Sequence, residues 1–301
     1  MTLFLGSLQL GLIYGLLAIG VFIAFRILNI PDLTAEGSFT FGLAVSAKFT
    51  LMGHPFLGII AAVGAGALAG SITGLFQTKL LIHPVLAGIL TMSGLYTINL
   101  LIMGSSSNLS LIGSNTIFKI MTDASGIFSR EGVKIILPLI VVTITALAGS
   151  FFFKTRIGLC IRATGNNEDM VRASSIDVDV TKIIALAAAN ASIALSGALI
   201  SQYQGFADIN SGVGIIVVGL ASVIIGELIF RKDGITYGLF SAILGSILYR
   251  FMIALALKYS PFPAYALKLV SACIVAIALS IPAMKYRAEL EKIKKGARKS
   301  C

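Results

Sequence analysis

The chain has no tryptophan, three cysteines and two histidines in 301 residues, and only 12% of its residues are charged. Each scarcity excludes something. Cys160, Cys273 and Cys301 are scattered, without paired or metal-like spacing, and read as unpaired thiols. His54 and His83 both precede proline in turns, and no H-E-x-x-H metal motif exists. No G-x-x-x-x-G-K-[ST] phosphate loop is present, so the chain does not bind ATP by that device. A G-x-S-x-G nucleophile elbow is also missing. The expectation is a protein that is not an enzyme, with no cofactor and no metal of its own. Soluble domains carry about 25% charged residues. Here 57% of residues are hydrophobic and the mean hydropathy is +0.96, which indicates an integral membrane protein. No polar stretch is long enough to bury a core of its own.

A membrane helix needs about 20 mostly apolar residues. On that measure the chain is an all-α, polytopic transmembrane bundle of about nine spans, with eight to ten as the range. The spans fall near 5–25, 33–52, 56–78, 84–103, 133–153, 183–203, 215–230, 235–257 and 265–284. The first lacks a basic leader and a small-residue cleavage site, so it reads as a retained helix. The second is unusually polar, with Thr34, Glu36, Ser38, Thr40, Ser46 and Lys48, and the seventh is short. Segments 33–52 and 205–230 are therefore candidates for broken or re-entrant helices. Gly66, Gly70 and Gly74 form a small-xxx-small face that admits close approach of another helix.

The net charge of +10 is explained by the membrane rather than by nucleic acid. Lys and Arg concentrate on cytoplasmic loops. Arg26, Lys79, Arg231, Lys232, the loop 154–182 and the basic tail 286–301 all fall on one side if the C-terminus is cytoplasmic and the N-terminus external. The chain then divides into a transmembrane domain, 1–285, and the tail, 286–301.

Polar residues inside a membrane usually face protein or a water-filled cavity. Tyr14, Asp32, Thr34, Glu36, Ser38, Asn99 and Asn190 are the candidate pathway residues on that ground. Bland alternatives stand beside them. Asp32 after Pro31 suits a helix N-cap, and Asn99 and Asn190 suit interhelical hydrogen bonds. Glu227 suits an interface pair with Arg231, and Lys48 and Arg250 suit snorkelling. The loop 154–182 has the marks of a short surface helix. Gly165 breaks the preceding run, and Asn166 or Asn167 can cap. Glu168 and Asp169 lie in a first turn, while Met170, Val171 and Ala173 offer a small apolar face beside Arg172.

Three blocks carry a resemblance. They are RIGLCIRATGNNEDMVRASSIDVDVTK, GLIYGLLAIGVFIAFRILNIPDLTAEGSF and INSGVGIIVVGLASVIIGE. In this order they resemble the permease subunits of ATP-binding cassette importers, in the family holding the branched-chain amino acid and ribose-type permeases. The resemblance covers approximately residues 6–285. Ser174-Ser175-Ile176 stands where Gly-Ile is usual, and Gly226-Glu227 where Gly-Gly is usual.

The resemblance implies a substrate pathway for a small solute in a bacterial cytoplasmic membrane, driven by ATP through alternating access. The compact chain and its ILNIPDLTAEGSF block look nearer the amino acid side of that family, branched-chain or aromatic. It implies ATPase subunits that carry ATP and Mg and grip Gly165 to Ala173 as a coupling helix. An extracytoplasmic substrate-binding protein and a second permease copy complete the expected partners, with membrane lipid and no nucleic acid. A sugar or nucleoside importer is the nearest alternative. An ion-coupled secondary transporter would need inverted repeats, and no convincing internal repeat is found.

Overall fold

The computed structural model describes residues 2–125, 129–230 and 234–259, with 272, 273, 276 and 280. Nearly all of the expected ninth span, 265–284, and the tail 286–301 lie outside the described residues. Within them the helices are α1 (Thr2–Phe22, continued by a π turn, Ile23–Ile27), α2 (Thr34–Leu51), α3 (Pro55–Thr78), α4 (Pro84–Ile102), α5 (Ile117–Ser125), α6 (Arg130–Phe152), α7 (Arg156–Asn166), α8 (Glu168–Ala173), α9 (Val178–Gln204), α10 (Ile215–Ile229) and α11 (Ile235–Tyr259). Two short strands, β1 (Asn108–Ser110) and β2 (Phe206–Asp208), pair antiparallel with Leu109 opposite Ala207. This is a polytopic helical membrane protein.

Among the described residues, seven runs are long and apolar enough to cross a membrane: α1 with its π turn, α3, α4, α6, α9, α10 with the turn before it, and α11. The polar α2 is not among them. It is surrounded by protein instead, and several of its hydroxyls are bonded inside the bundle. Thr50 donates to Ser46 O, and Ser46 donates to Ala198 O on α9. The most apolar window of α1 is 83% buried and that of α6 only 22%, so α1 is central and α6 peripheral. The α9 helix starts earlier than its apolar pattern suggests. Asp177 caps it, its Oδ1 accepting from Asp179 N and Val180 N.

The Gly66/Gly70/Gly74 face is used within the chain. A Cβ at any of the three would collide with α9, at Asn190, Leu186 and Ile183 respectively. One glycine per turn thus lets two backbones meet in a place where side chains could not fit.

The bundle has two distinct ends. At one, Arg26 pairs with Glu227 and Lys79 with Asp179, which gathers the π turn and the ends of α3 and α10 around the start of α9. At the other, Gln202 donates to Pro55 O and accepts from Ile117 N, while Tyr203 donates to Gln9.

Candidate functional site

One helix, α2, begins inside the bundle, and a second, α10, begins against α2. After the π turn the chain doubles back through Asn29, which has a left-handed φ of 56°. Asp32 is then completely buried. Its Oδ1 accepts from Thr34 N at 2.9 Å and its Oδ2 from Asn190 Nδ2 at 2.6 Å. The same Asn190 donates to Leu186 O at 3.0 Å. Asp32 therefore acts both as a cap for α2 and as a link to α9. Thr34 extends the cluster through a hydroxyl chain: Thr34 to Thr73 at 2.7 Å, and Thr73 to Thr91 at 2.8 Å. That chain ties α2, α3 and α4.

The second start is that of α10. The α9 helix ends at Gly205 in the left-handed region, β2 follows, and a 3₁₀ turn, Ile209–Gly212, leads to Gly214, again left-handed at φ 80°. The turn lies directly on α2, since a Cβ on Gly212 would collide with Glu36 O and Thr40 Oγ1. Gly214 N donates to Glu36 Oε1 at 3.0 Å. The positive end of α10 thus meets a carboxylate supplied by another helix.

Beside this junction lies a cavity of about 380 Å³, lined by Glu36, Thr40, Met92, Tyr96, Asn99 and Val213 among others. Asn99 Nδ2 donates to Gly37 O at 3.4 Å, and its Oδ1 has no partner among the described residues. Of the expected pathway residues, Asp32, Thr34 and Asn190 share one cluster, and Glu36 and Asn99 share the cavity. Ser38 is buried, and its Oγ has no partner among the described residues. Tyr14 lies elsewhere, stacked on Phe39 with ring centroids 6.1 Å apart. Thr40, Met92 and Tyr96 were not singled out as sites from the sequence. Met92, Tyr96 and Asn99 recur at helical spacing, and this was the available signal.

The loop 154–182 holds two helices, not one. Thr155 caps α7, which runs through Gly165 to Asn166. Gly165 therefore does not break the helix. It lets α7 lie on the π turn, where a Cβ would collide with Ile27 O. The break is at Asn167, whose Oδ1 accepts from Met170 N at 3.0 Å and caps α8. Val171 is 1% exposed and seats α8 on the bundle, whereas Met170 is 56% exposed. Asp169, Met170 and Ala173 face outward, so the expected apolar trio is split between two faces.

Ion pairs brace this bracket. Glu168 accepts from Lys182 at 2.6 Å and from Arg172 at 2.9 Å. Arg172 also reaches Asp179 at 3.4 Å, and Asp179 accepts from Lys79 at 3.1 Å. Partial burial of Glu168 would raise its pKa, but the bonds from Lys182 and Arg172 outweigh this and hold the carboxyl below its ordinary value. The helix ends at Ser175, left-handed at φ 59°, with Ile176 N closing on Val171 O at 3.4 Å. Serine here occupies the position that glycine fills at many helix ends.

Glu227 pairs with Arg26, 2.7 Å away on the π turn. Arg231 lies outside the described residues. A smaller cavity, of about 270 Å³, lies beside this pair and is also lined by Arg162 and Asn166 of α7. The π turn is thus the common support of α7, α10 and the start of α2. Among the described residues no three of His, Cys, Asp and Glu gather as they would around a metal ion.

Residues 3–279 match the family model described as branched-chain amino acid transport system / permease component. The chain is 36% identical over 265 residues to a tyrosine transport system permease protein of Clostridioides difficile (strain R20291), covering 88% of this chain and 86% of that one. It is 32% identical over 285 residues to an uncharacterized protein of Rickettsia prowazekii (strain Madrid E), covering 93% and 98%. Among solved structures it is similar to a chain of PsaBC from Streptococcus pneumoniae in complex with Fab. The TM-score is 0.52 at 13% identity, over 92% of this chain and 89% of that one, a likeness of fold alone. The chain belongs to the branched-chain amino acid transport permease family, as the permease component of an ATP-binding cassette type of transport system.

Proposed function

We propose that this chain forms the substrate pathway of an importer for an amino acid, aromatic or branched-chain, in a bacterial cytoplasmic membrane. The observation that carries this reading is the bracket of α7 and α8. It is anchored by Val171 and by ion pairs to α9 and α3, yet it presents Asp169, Met170 and Ala173 outward. A short helix braced on one side and bare on the other suits insertion into a groove of a partner. Here the partner is an ATPase subunit that carries ATP and Mg, and Gly165 to Ala173 act as the coupling helix. Because α7 lies on the π turn, a pull on the bracket reaches α1, α2 and α10 together. That is a physical route from ATP-driven closure to alternating access. The bracket end is cytoplasmic in this reading, and the N-terminus external.

The cavity at Glu36 and Asn99 supports an amino acid as substrate. A carboxylate and a free amide oxygen in an otherwise mainly apolar lining suit an ammonium group with an apolar side chain. The similarity to a tyrosine transport permease favours the aromatic class. An extracytoplasmic binding protein delivers the solute, and a second copy of the chain completes the pathway. The Gly66/Gly70/Gly74 face is occupied by α9, so a second copy would dock elsewhere.

The test is copurification from mild detergent together with amino acid uptake in cells. M170D combined with D169K should lose a P-loop ATPase and uptake while the chain still inserts. Wild-type uptake by that variant would sink the coupling assignment.

A further inference from the structure

Arg250 is a cation at membrane depth with no counter-ion among the described residues. It lies within the span Ile235–Ala256 of α11. Snorkelling would carry its guanidinium toward the nearer end of that helix. The structure shows the opposite. The guanidinium carbon lies 3.7 Å from the centroid of the Tyr14 ring, and Tyr14 is close to the middle of the span Phe4–Ile27. Tyr14 is itself stacked on Phe39 of α2. Helical side chains lean toward the N-terminus of their own helix, and this geometry turns Arg250 inward.

Among the described residues, nothing balances the charge locally. Arg250 makes no ion pair, and its buried Nε has no hydrogen-bond acceptor among the described residues. Residues 260–285 contain no Asp or Glu, and the last acids of the chain, Glu289 and Glu291, stand in the basic tail. The Tyr14 ring face holds the guanidinium, which leaves terminal N–H groups for another acceptor. The side chain remains partly exposed. Ionisable groups inside a membrane span are retained chiefly where they meet a substrate, an ion or a partner.

We infer that Arg250, held by Tyr14, is a binding residue for the carboxylate of the transported amino acid. The inference rests on the amino acid reading above and adds a station distinct from the cavity at Glu36. A planar guanidinium takes a carboxylate through two parallel N–H bonds, while the buried Tyr14 and Phe39 rings fix its position from behind.

The test uses the purified full-length chain in nanodiscs and equilibrium binding of labelled amino acids, L-tyrosine first and the other common amino acids after it. Tyramine, which lacks the carboxylate, and 3-(4-hydroxyphenyl)propionate, which lacks the ammonium, serve as competitors. Wild type should bind an amino acid and be competed by the propionate far better than by tyramine. R250Q should weaken binding about 10- to 100-fold, the range for loss of a charged hydrogen bond, and should lose that preference. R250K should keep the preference, which a merely structural role for the arginine would not predict. Binding by R250Q and R250K equal to wild type, or competition by tyramine equal to the propionate, overturns the role of Arg250 and leaves the amino acid reading intact. Wild type that binds no amino acid overturns both.

Discussion

Gly214 N donates to the Glu36 carboxylate at 3.0 Å, and at the far end of the same helix Glu227 meets Arg26 at 2.7 Å. The α10 helix is therefore held at its positive end by an anion from α2 and near its negative end by a residue of the π turn. Both partners come from the first segment of the chain, which the π turn and the left-handed Asn29 fold back on itself. Any movement of that segment displaces α10 at two points.

Loss of the Glu36 carboxylate should loosen the start of α10. Glu36→Ala is expected to lower stability by about 1 kcal/mol, the usual scale for a lost helix N-cap. Glu36→Gln retains an acceptor and should fold nearly as wild type. Thermal unfolding in detergent compares the two. Equal midpoints for Glu36→Ala and wild type would show that the Gly214 contact contributes nothing.

The α3–α9 seam should be intolerant of volume. Gly70→Val places a branched side chain where a Cβ alone would collide with Leu186 O. Overpacking of this kind costs about 1–3 kcal/mol or more. The control Gly64→Ala, at a glycine with open space around its Cβ, should be silent. Size-exclusion profiles and unfolding midpoints separate these outcomes.

The end of α8 should be improved by glycine, which adopts the left-handed conformation at no steric cost. Ser175 sits at φ 59°, where an L side chain is strained by about 1 kcal/mol or more. Ser175→Gly is expected to slow exchange of the α8 amides with deuterated solvent. Faster exchange than wild type would contradict the strain argument.

Acidification should release α8. The folded Glu168 carboxyl is held below its ordinary value, so its contribution is complete above the unfolded value near 4.5 and is lost as the pH falls through the lower folded one. The pairs are partly exposed, so the effect is under about 1 kcal/mol. Limited proteolysis within 154–182 should be flat between neutral pH and about pH 5 and rise below it. Glu168→Gln should cleave at all pH values as readily as acidified wild type. A pH-independent wild type would remove Glu168 from the bracket.

Composition and periodicity determined the class of this protein. Low charge, long apolar runs and basic loops already specify a helical membrane bundle, because the bilayer rewards any segment of about 20 apolar residues. The polar α2, the short α10 and the capped loop helix were also legible, since Pro31, Gly214 and Asn167 act on their immediate neighbours. What the linear pattern could not decide was which partners these residues meet. Glu36 and Gly214 are 178 positions apart, and Arg26 and Glu227 are 201 apart. Val171 and Met170 are adjacent and both apolar, yet one is buried and the other exposed. Burial of Val171 and not Met170, the return of the chain at Asn29, and the inward turn of Arg250 follow from how the helices pack around α9. Packing depends on shape across the whole bundle and not on the local sequence.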